Sequence, residues 1–398
     1  MKDPFSVWRE IREKAPVYHS GPILLVTRHA DVKAIVRDEI SLSNNATRSG
    51  TRVAALTSRL TTAQLEAYEE VLAFESMYLV RSDREEHARL RGTANRVFTP
   101  KRIGEMRGSI EHYTAEFLDD IKEDDVVDIL PSLAYRLPLM VISDMLGLPY
   151  GEREKIHEWS NRLGRNRGGD DPVALMSAVG ALREFRNYVN EVLIPLRSSG
   201  RGADLISALL DAEQGERLKP EELTAMIVVL LFAGHETTTN LIAIGMLELL
   251  RNPAQWERLC AEPSLAGQAT EELLRYVSPV QWVNRVAVDD FEIAGYKVSK
   301  GQTIFPILAS ANRDPEVFED PEKLDITRSN AGLHLSLGFG PHSCLGSALA
   351  RLEATVVFEY LATRYSSMQL VDDDPTYHGN AMLRGLTGLS LRPEPSHH

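Results

Sequence analysis

The chain has 398 residues, 43% apolar and 25% charged, the balance of a globular protein with a large core, which excludes disordered and fibrous classes. Lysine and arginine number 44 against 57 aspartate and glutamate, a net charge of −13, so no general affinity for nucleic acid or for an anionic membrane surface is expected. Two cysteines, Cys260 and Cys344, are too few for a disulfide scaffold. With a start, Met1-Lys2-Asp3-Pro4, unlike a signal peptide, and no apolar run read as long enough to span a bilayer, they predict a cytoplasmic protein.

Phe5, Trp8 and Ile11 recur at helical spacing up to Pro16, and Ile23 to Thr27 reads as a strand before a helix around Val32, Ile35 and Val36. Residues 44–62 are rich in Ser, Thr and Asn and read as loop, followed by a helix over 65–74. In Asp83-Arg84-Glu85-Glu86-His87-Ala88-Arg89-Leu90-Arg91, a spacing of four puts His87 and Arg91 on one helical face, where two cationic donors can hold carboxylates. Taken alone, a chance His and Arg on a solvated helix is the commoner explanation. Basic residues continue through Arg96, Lys101 and Arg102. The stretch 110–146 reads as helix broken at Pro131 and Pro138, and Gly147-Leu148-Pro149 reads as its end. Two more helices, over 156–163 and 182–196, flank Gly168-Gly169-Asp170-Asp171-Pro172.

Pro220-Glu221-Glu222 opens a long helix that is apolar on every face through Met226 to Ala233, the pattern of a helix buried all round. It then carries Gly234-His235-Glu236-Thr237-Thr238-Thr239-Asn240. Glycine there costs about 1 kcal/mol against alanine, and a buried unpaired polar group roughly 1 to 3 kcal/mol, so these residues point to function. The Thr237 hydroxyl is placed to bond the Ala233 carbonyl and loosen the helix locally. Helix-internal hydrogen bonding is the expectation for Thr238, Thr239 and Asn240, and His235 is assigned no catalytic part. Further on, the spacing of three in Glu271-Glu272-Leu273-Leu274-Arg275 turns Glu272 and Arg275 to one face. Arg285 to Val288 and Phe291 to Ile293 read as strands, and 381–386 as a hairpin tip.

The most constrained stretch is Leu337-Gly338-Phe339-Gly340-Pro341-His342-Ser343-Cys344-Leu345-Gly346, a glycine-rich turn ahead of a helix-favouring run, Leu345 to Glu353. The helix dipole and the free N–H groups of a first turn would lower the Cys344 pKa. A lone thiolate suits an axial metal ligand, whereas closed zinc or iron–sulfur sites use several ligands. A buried cysteine in a tight turn is the plainer alternative.

This decapeptide resembles the haem-ligand loop of the cytochrome P450 monooxygenases, Phe-x-x-Gly-x-His/Arg-x-Cys-x-Gly; Leu337 departs from it where the pattern has an aromatic. Gly234 to Thr237 resembles the family's Ala-Gly-x-Asp/Glu-Thr motif, His87 and Arg91 its His-x-x-x-Arg helix, and Glu272 and Arg275 its Glu-x-x-Arg pair. The resemblance implies a mainly α fold with a small β region, one haem-enclosing domain spanning 1–398, with His397-His398 read as a tag remnant. It implies haem b with Cys344 on the iron, His87, Arg91, Arg285 and His342 on the haem carboxylates, and Glu236 and Thr237 handling protons while O2 is activated. Glu272, Arg275 and Arg328 would form a structural network. Residues 44–62 and the loop at 168–172 would border the pocket, with Ala233, Val280, Trp282, Val283, Met382 and Leu383 as pocket candidates.

The expected function is a monooxygenase inserting one oxygen atom from O2 into a largely apolar small organic molecule by hydroxylation, epoxidation or dealkylation. No flavin or iron–sulfur segment is apparent, so electrons would come from a ferredoxin and its reductase, with Lys101 and Arg102 as docking candidates. A haem-thiolate sensor without turnover is a second reading, against which Glu236 and Thr237 argue, since binding alone needs no proton relay. The same fold running C–C coupling or nitration, and a zinc protein using His342 and Cys344, are further alternatives.

Overall fold

A computed structural model describes residues 3–45, 60–96, 98–119, 121, 125–165, 171–200, 202, 204–214, 218–378 and 381–395. The helices that position the site are α1 (Phe5–Lys14), α2 (His29–Arg37), α3 (Thr62–Glu75), α4 (Arg84–Asn95), α5 (Arg107–Asp119), α6 (Arg136–Leu146), α7 (Arg153–Arg165), α8 (Pro172–Tyr188), α9 (Pro220–Arg251), α10 (Ala266–Val277) and α11 (Ser347–Arg364). The strands are β1 (Val17–Ser20), β2 (Ile23–Val26), β3 (Leu42–Ser43), β4 (Val127–Asp128), β5 (Arg285–Ala287), β6 (Phe291–Ile293), β7 (Tyr296–Val298), β8 (Thr303–Pro306), β9 (Tyr365–Leu370) and β10 (Ser390–Pro395). The fold is therefore mainly α with a small β region.

The axis of the helical part is α9. Proline opens it at a position with no amide partner to lose, and Glu222 accepts the Lys219 amide at 2.9 Å, closing the first turn. Leu223 to Val228 and Leu241 to Leu249 are buried on all sides, against α6, α10 and α11 among others. By length and composition α9 could cross a bilayer, which corrects the sequence expectation of no such run; it is mostly buried inside the protein.

The larger sheet runs β1-β2-β8-β5-β3, with β2 parallel to β8 and the other pairs antiparallel. Its register sets Arg285 opposite Ile304 and Leu42 opposite Ala287, which brings the end of α2 and residues 42–44 next to Arg285. A second sheet runs β4-β10-β9, and among the described residues β6 pairs with β7 alone.

The break expected at Pro138 appears as the junction between a π-helical turn over Leu130–Ala134 and α6, which holds Pro138 in its first turn. One expectation changes. The second lid-side helix begins at Pro172 rather than near 182, capped by Asp171 accepting the Val173 amide at 2.8 Å. Gly147 ends α6 at φ 75°, as its place in the sequence predicts. Residues 46–59 of the expected loop, and 168–170 of the other, lie outside the described residues.

Candidate functional site

The cysteine loop is built by its glycines and by backbone bonds. Gly338 and Gly340 stand at φ 72° and 78°, and a Cβ on Gly340 would come within 3.2 Å of Arg37 Cα, so α2 packs directly on the loop. Cys344 N donates to Leu337 O at 2.7 Å and Ser343 N to Gly340 O at 3.0 Å. Leu337 thus supplies the carbonyl that closes the turn, a part any side chain permits. The Arg91 guanidinium reaches from α4 to Ser343 O at 2.6 Å, fixing the residue beside the cysteine.

Cys344 is accessible to solvent, yet protein surrounds it densely enough that burial raises its thiol pKa. The Gly346 N–H, Arg91 and Arg351 pull the other way, as the loop predicts, but burial outweighs them; the expected net lowering is corrected. A cation placed against the sulfur would reverse the balance, because a coordinated thiol loses its proton.

Beside the loop, cationic groups converge. His342 stacks on His87 with centroids 3.8 Å apart, and Glu39 Oε1 lies 3.5 Å from His342 Nε2 and 3.6 Å from His87 Nδ1. Asn44 Nδ2 is 2.8 Å from His342 Nε2, and Asp83, just ahead of α4, holds the Asn44 amide at 2.8 Å. Burial, then His87, Arg285 and Arg91, pushes His342 down to about 3. Arg285 is buried and makes no ion pair within 4.0 Å among the described residues; burial pulls its pKa down to about 10 against Asp83 and Glu39. Its Nε and His87 Nε2 are buried without a hydrogen-bond partner. Four basic side chains thus meet two acids, Glu39 and Asp83, with donors left over, which fits a ligand bringing carboxylates of its own. Glu39, His87 and His342 also place metal-capable atoms within 4.8 Å of one another, a set without Cys344 and so unlike a His342 and Cys344 zinc pair.

On α9 the burial pattern breaks where the sequence breaks. Ala233 is exposed, and Leu230, Glu236 and Thr237 are partly so, a stripe on one face of an otherwise buried helix. Thr237 Oγ1 donates to Ala233 O at 3.3 Å and Thr239 Oγ1 to His235 O at 2.9 Å, as expected, while His235 Nδ1 binds Leu231 O at 2.8 Å. Thr238 departs from helix-internal bonding: it faces Glu353 of α11. Glu353 is fully buried, neither of its oxygens has a partner within full hydrogen-bonding geometry, and burial pushes its pKa up to about 8 despite the nearby hydroxyl.

Below, Glu272 accepts Arg275 at 2.7 and 2.8 Å and Arg328 at 3.2 Å, with Glu272 and Arg275 wholly buried. Asn312 joins this network to the cysteine loop: its carbonyl accepts Arg275, its amide nitrogen donates to Ser278 and Ser336, and its Oδ1 accepts the Leu335 amide. Among the pocket candidates, Trp282 stacks on Phe305 at 4.0 Å, Val280 pairs with Leu383 in a backbone bridge, and Met382 O accepts Gln281 N at 2.8 Å. Leu383 is buried, whereas Val280, Trp282, Val283 and Met382 keep partial access.

Sequence reasoning missed Glu353, Glu39 and Asn312. Glu353 alone carried a usable signal, a single acid at a position whose helical neighbours Leu349, Val356 and Val357 are apolar.

Comparison with known proteins places these features. The family model for cytochrome P450 matches residues 177–394. The chain is 37% identical over 98% of its length, and 95% of the relative's, to the polyketide biosynthesis cytochrome P450 PksS of Bacillus subtilis. It is 34% identical over 98% of its length, and 96% of the relative's, to the 6-deoxyerythronolide B hydroxylase of Saccharopolyspora erythraea. Among solved structures, P450BioI in complex with an acyl carrier protein ligated to hexadec-9Z-enoic acid superposes with a TM-score of 0.88 at 32% identity, covering 99% of both chains.

Proposed function

This chain belongs to the cytochrome P450 family, and we propose that it oxygenates a polyketide-like or fatty-acyl substrate with electrons delivered by a ferredoxin and its reductase. The family makes it a haem-thiolate monooxygenase with haem b as cofactor and O2 as co-substrate. The overall reaction takes the substrate C–H, O2, two electrons and two protons to the alcohol and water. The bound haem supplies the oxygen chemistry; the chain's own residues bind, orient and move protons.

Cys344 is the iron ligand in this reading. The observation that carries it is the pairing of an accessible cysteine in a backbone-locked loop with the basic side chains His87, Arg91, Arg285 and His342, of which His87 and Arg285 keep a buried donor without a partner, as suits the two carboxylates of haem b. Glu236 and Thr237 handle protons on the accessible stripe of α9, where the Thr237 hydroxyl donates to the Ala233 carbonyl. Glu272, Arg275 and Arg328 are scaffold. Ala233, Val280, Trp282, Val283, Met382 and Leu383 line an apolar pocket. Residues 1–398 form one domain acting in the cytoplasm.

The substrate class is supported by relatives named for polyketide biosynthesis and for 6-deoxyerythronolide B hydroxylation, and by a neighbour solved with an acyl carrier protein ligated to hexadec-9Z-enoic acid. The test is turnover under ¹⁸O2 with a surrogate ferredoxin and reductase, offered long-chain fatty acids and macrolactones. Product heavier by one ¹⁸O is the expected result. Low-spin protein unmoved by every such compound, together with turnover of a small polar one, would overturn the substrate class.

A further inference from the structure

Gly164 is the next-to-last residue of α7, and it is buried. What its missing Cβ leaves room for is Glu236. A Cβ there would lie 3.3 Å from Glu236 Oε1 and 3.8 Å from both Oε2 and the Phe232 ring. The backbone of α7 therefore rests directly against the carboxyl that the functional reading assigns to proton handling.

This contact involves more than one helix. Glu184 of α8 accepts Trp159 Nε1 at 2.8 Å and Arg162 at 3.0 and 3.1 Å, so α7 and α8 are tied through one acid. The two helices flank the loop expected at the pocket entrance, and Gly164 is where this pair meets the accessible stripe of α9.

We propose that Gly164 is a positioning residue for Glu236: by carrying no side chain it lets the α7–α8 pair close onto the carboxyl and so fixes where that acid stands. The inference rests on the reading of Glu236 and Thr237 as proton-handling residues. A carboxyl displaced by even part of an ångström delivers protons less reliably, and electrons then leave as hydrogen peroxide instead of product.

The test is a size exchange in the haem-loaded enzyme, with peroxide and product counted against NAD(P)H consumed. Gly164→Ala, which favours helix and leaves the fold intact, is expected to raise the peroxide fraction at least threefold, with substrate affinity from the spin-state titration within twofold. Glu236→Asp withdraws the carboxyl by one methylene and restores space. In that background Gly164→Ala should change the peroxide fraction by less than 1.5-fold. A merely structural role for Gly164 gives the same effect in both backgrounds, and that result would overturn the proposal, as would an unchanged peroxide fraction in the first variant. If Thr237→Ala and Glu236→Gln themselves leave coupling intact, the proton-handling reading fails and the positioning role falls with it.

Discussion

His87 on α4 and His342 in the cysteine loop stack face to face, 3.8 Å between centroids with planes inclined by 27°. Two imidazoles from distant parts of the chain are thereby pressed together beside Arg285 and Arg91, with Glu39 between them and with His87 Nε2 and Arg285 Nε left as buried donors for a further anion. His342→Ala should therefore weaken cofactor retention. A charge-assisted hydrogen bond contributes roughly 1.5 to 3 kcal/mol, so transfer of haem to apomyoglobin should speed up about 10- to 100-fold. An unchanged transfer rate would remove His342 from the binding set.

Thr237 stands at a partly accessible position of α9, its hydroxyl donating to the Ala233 carbonyl within an unbroken helix. Thr237→Ala is expected to keep substrate binding and reduction, while a several-fold larger share of electrons appears as peroxide. Thr237→Ser should recover most of the coupling, since it keeps the hydroxyl. Full coupling in the alanine variant would assign the protons to another group.

Glu353 gives stability a pH dependence of definite sign. Its folded pKa of about 8 lies above the ordinary 4.5, so its contribution is complete below about pH 4.5 and is lost as pH rises through 8. By linkage the loss amounts to about 5 kcal/mol over that range. Glu353→Gln should remove it, so that chemical-denaturation curves of variant and wild type diverge steadily in the variant's favour between pH 5 and 8. Parallel curves would mean that Glu353 ionises freely in the folded protein.

Glu272 and Arg275 form a fully buried pair that also anchors Arg328 and, through Asn312, the approach to the cysteine loop. Removing one partner leaves an uncompensated buried charge, so Glu272→Ala should destabilise by about 3 to 5 kcal/mol. The readouts are the unfolding midpoint and the haem content of the purified protein. A stable, fully loaded variant would show that the network is dispensable.

Legibility in the sequence followed the range of each interaction. Helix starts written in adjacent residues, such as Pro220-Glu221-Glu222, and the Gly147 cap were readable because the determinants are local. So was the Thr237 to Ala233 bond, set by a spacing of four. Strand β1 pairs with the adjacent β2 and was missed because its residues after Val17 are exposed and polar or aromatic, without an apolar alternation, whereas β8 was missed because it depends on partners far along the chain, as with Ile23 against Thr303. The Cys344 pKa was misjudged for the same reason: the dipole and amides are local and visible, whereas burial by distant segments is not. Glu39 has no motif at all; only the folding of α2 onto the loop brings it between two histidines.

The central claim is thiolate ligation through Cys344, and the absorption spectrum of the dithionite-reduced, carbon monoxide-bound protein tests it most directly. Thiolate ligation predicts a strongly red-shifted Soret band, abolished or shifted to the shorter histidine-type wavelength in Cys344→Ser. A band at the histidine-type position in the wild type, or one that Cys344→Ser leaves unmoved, would contradict it.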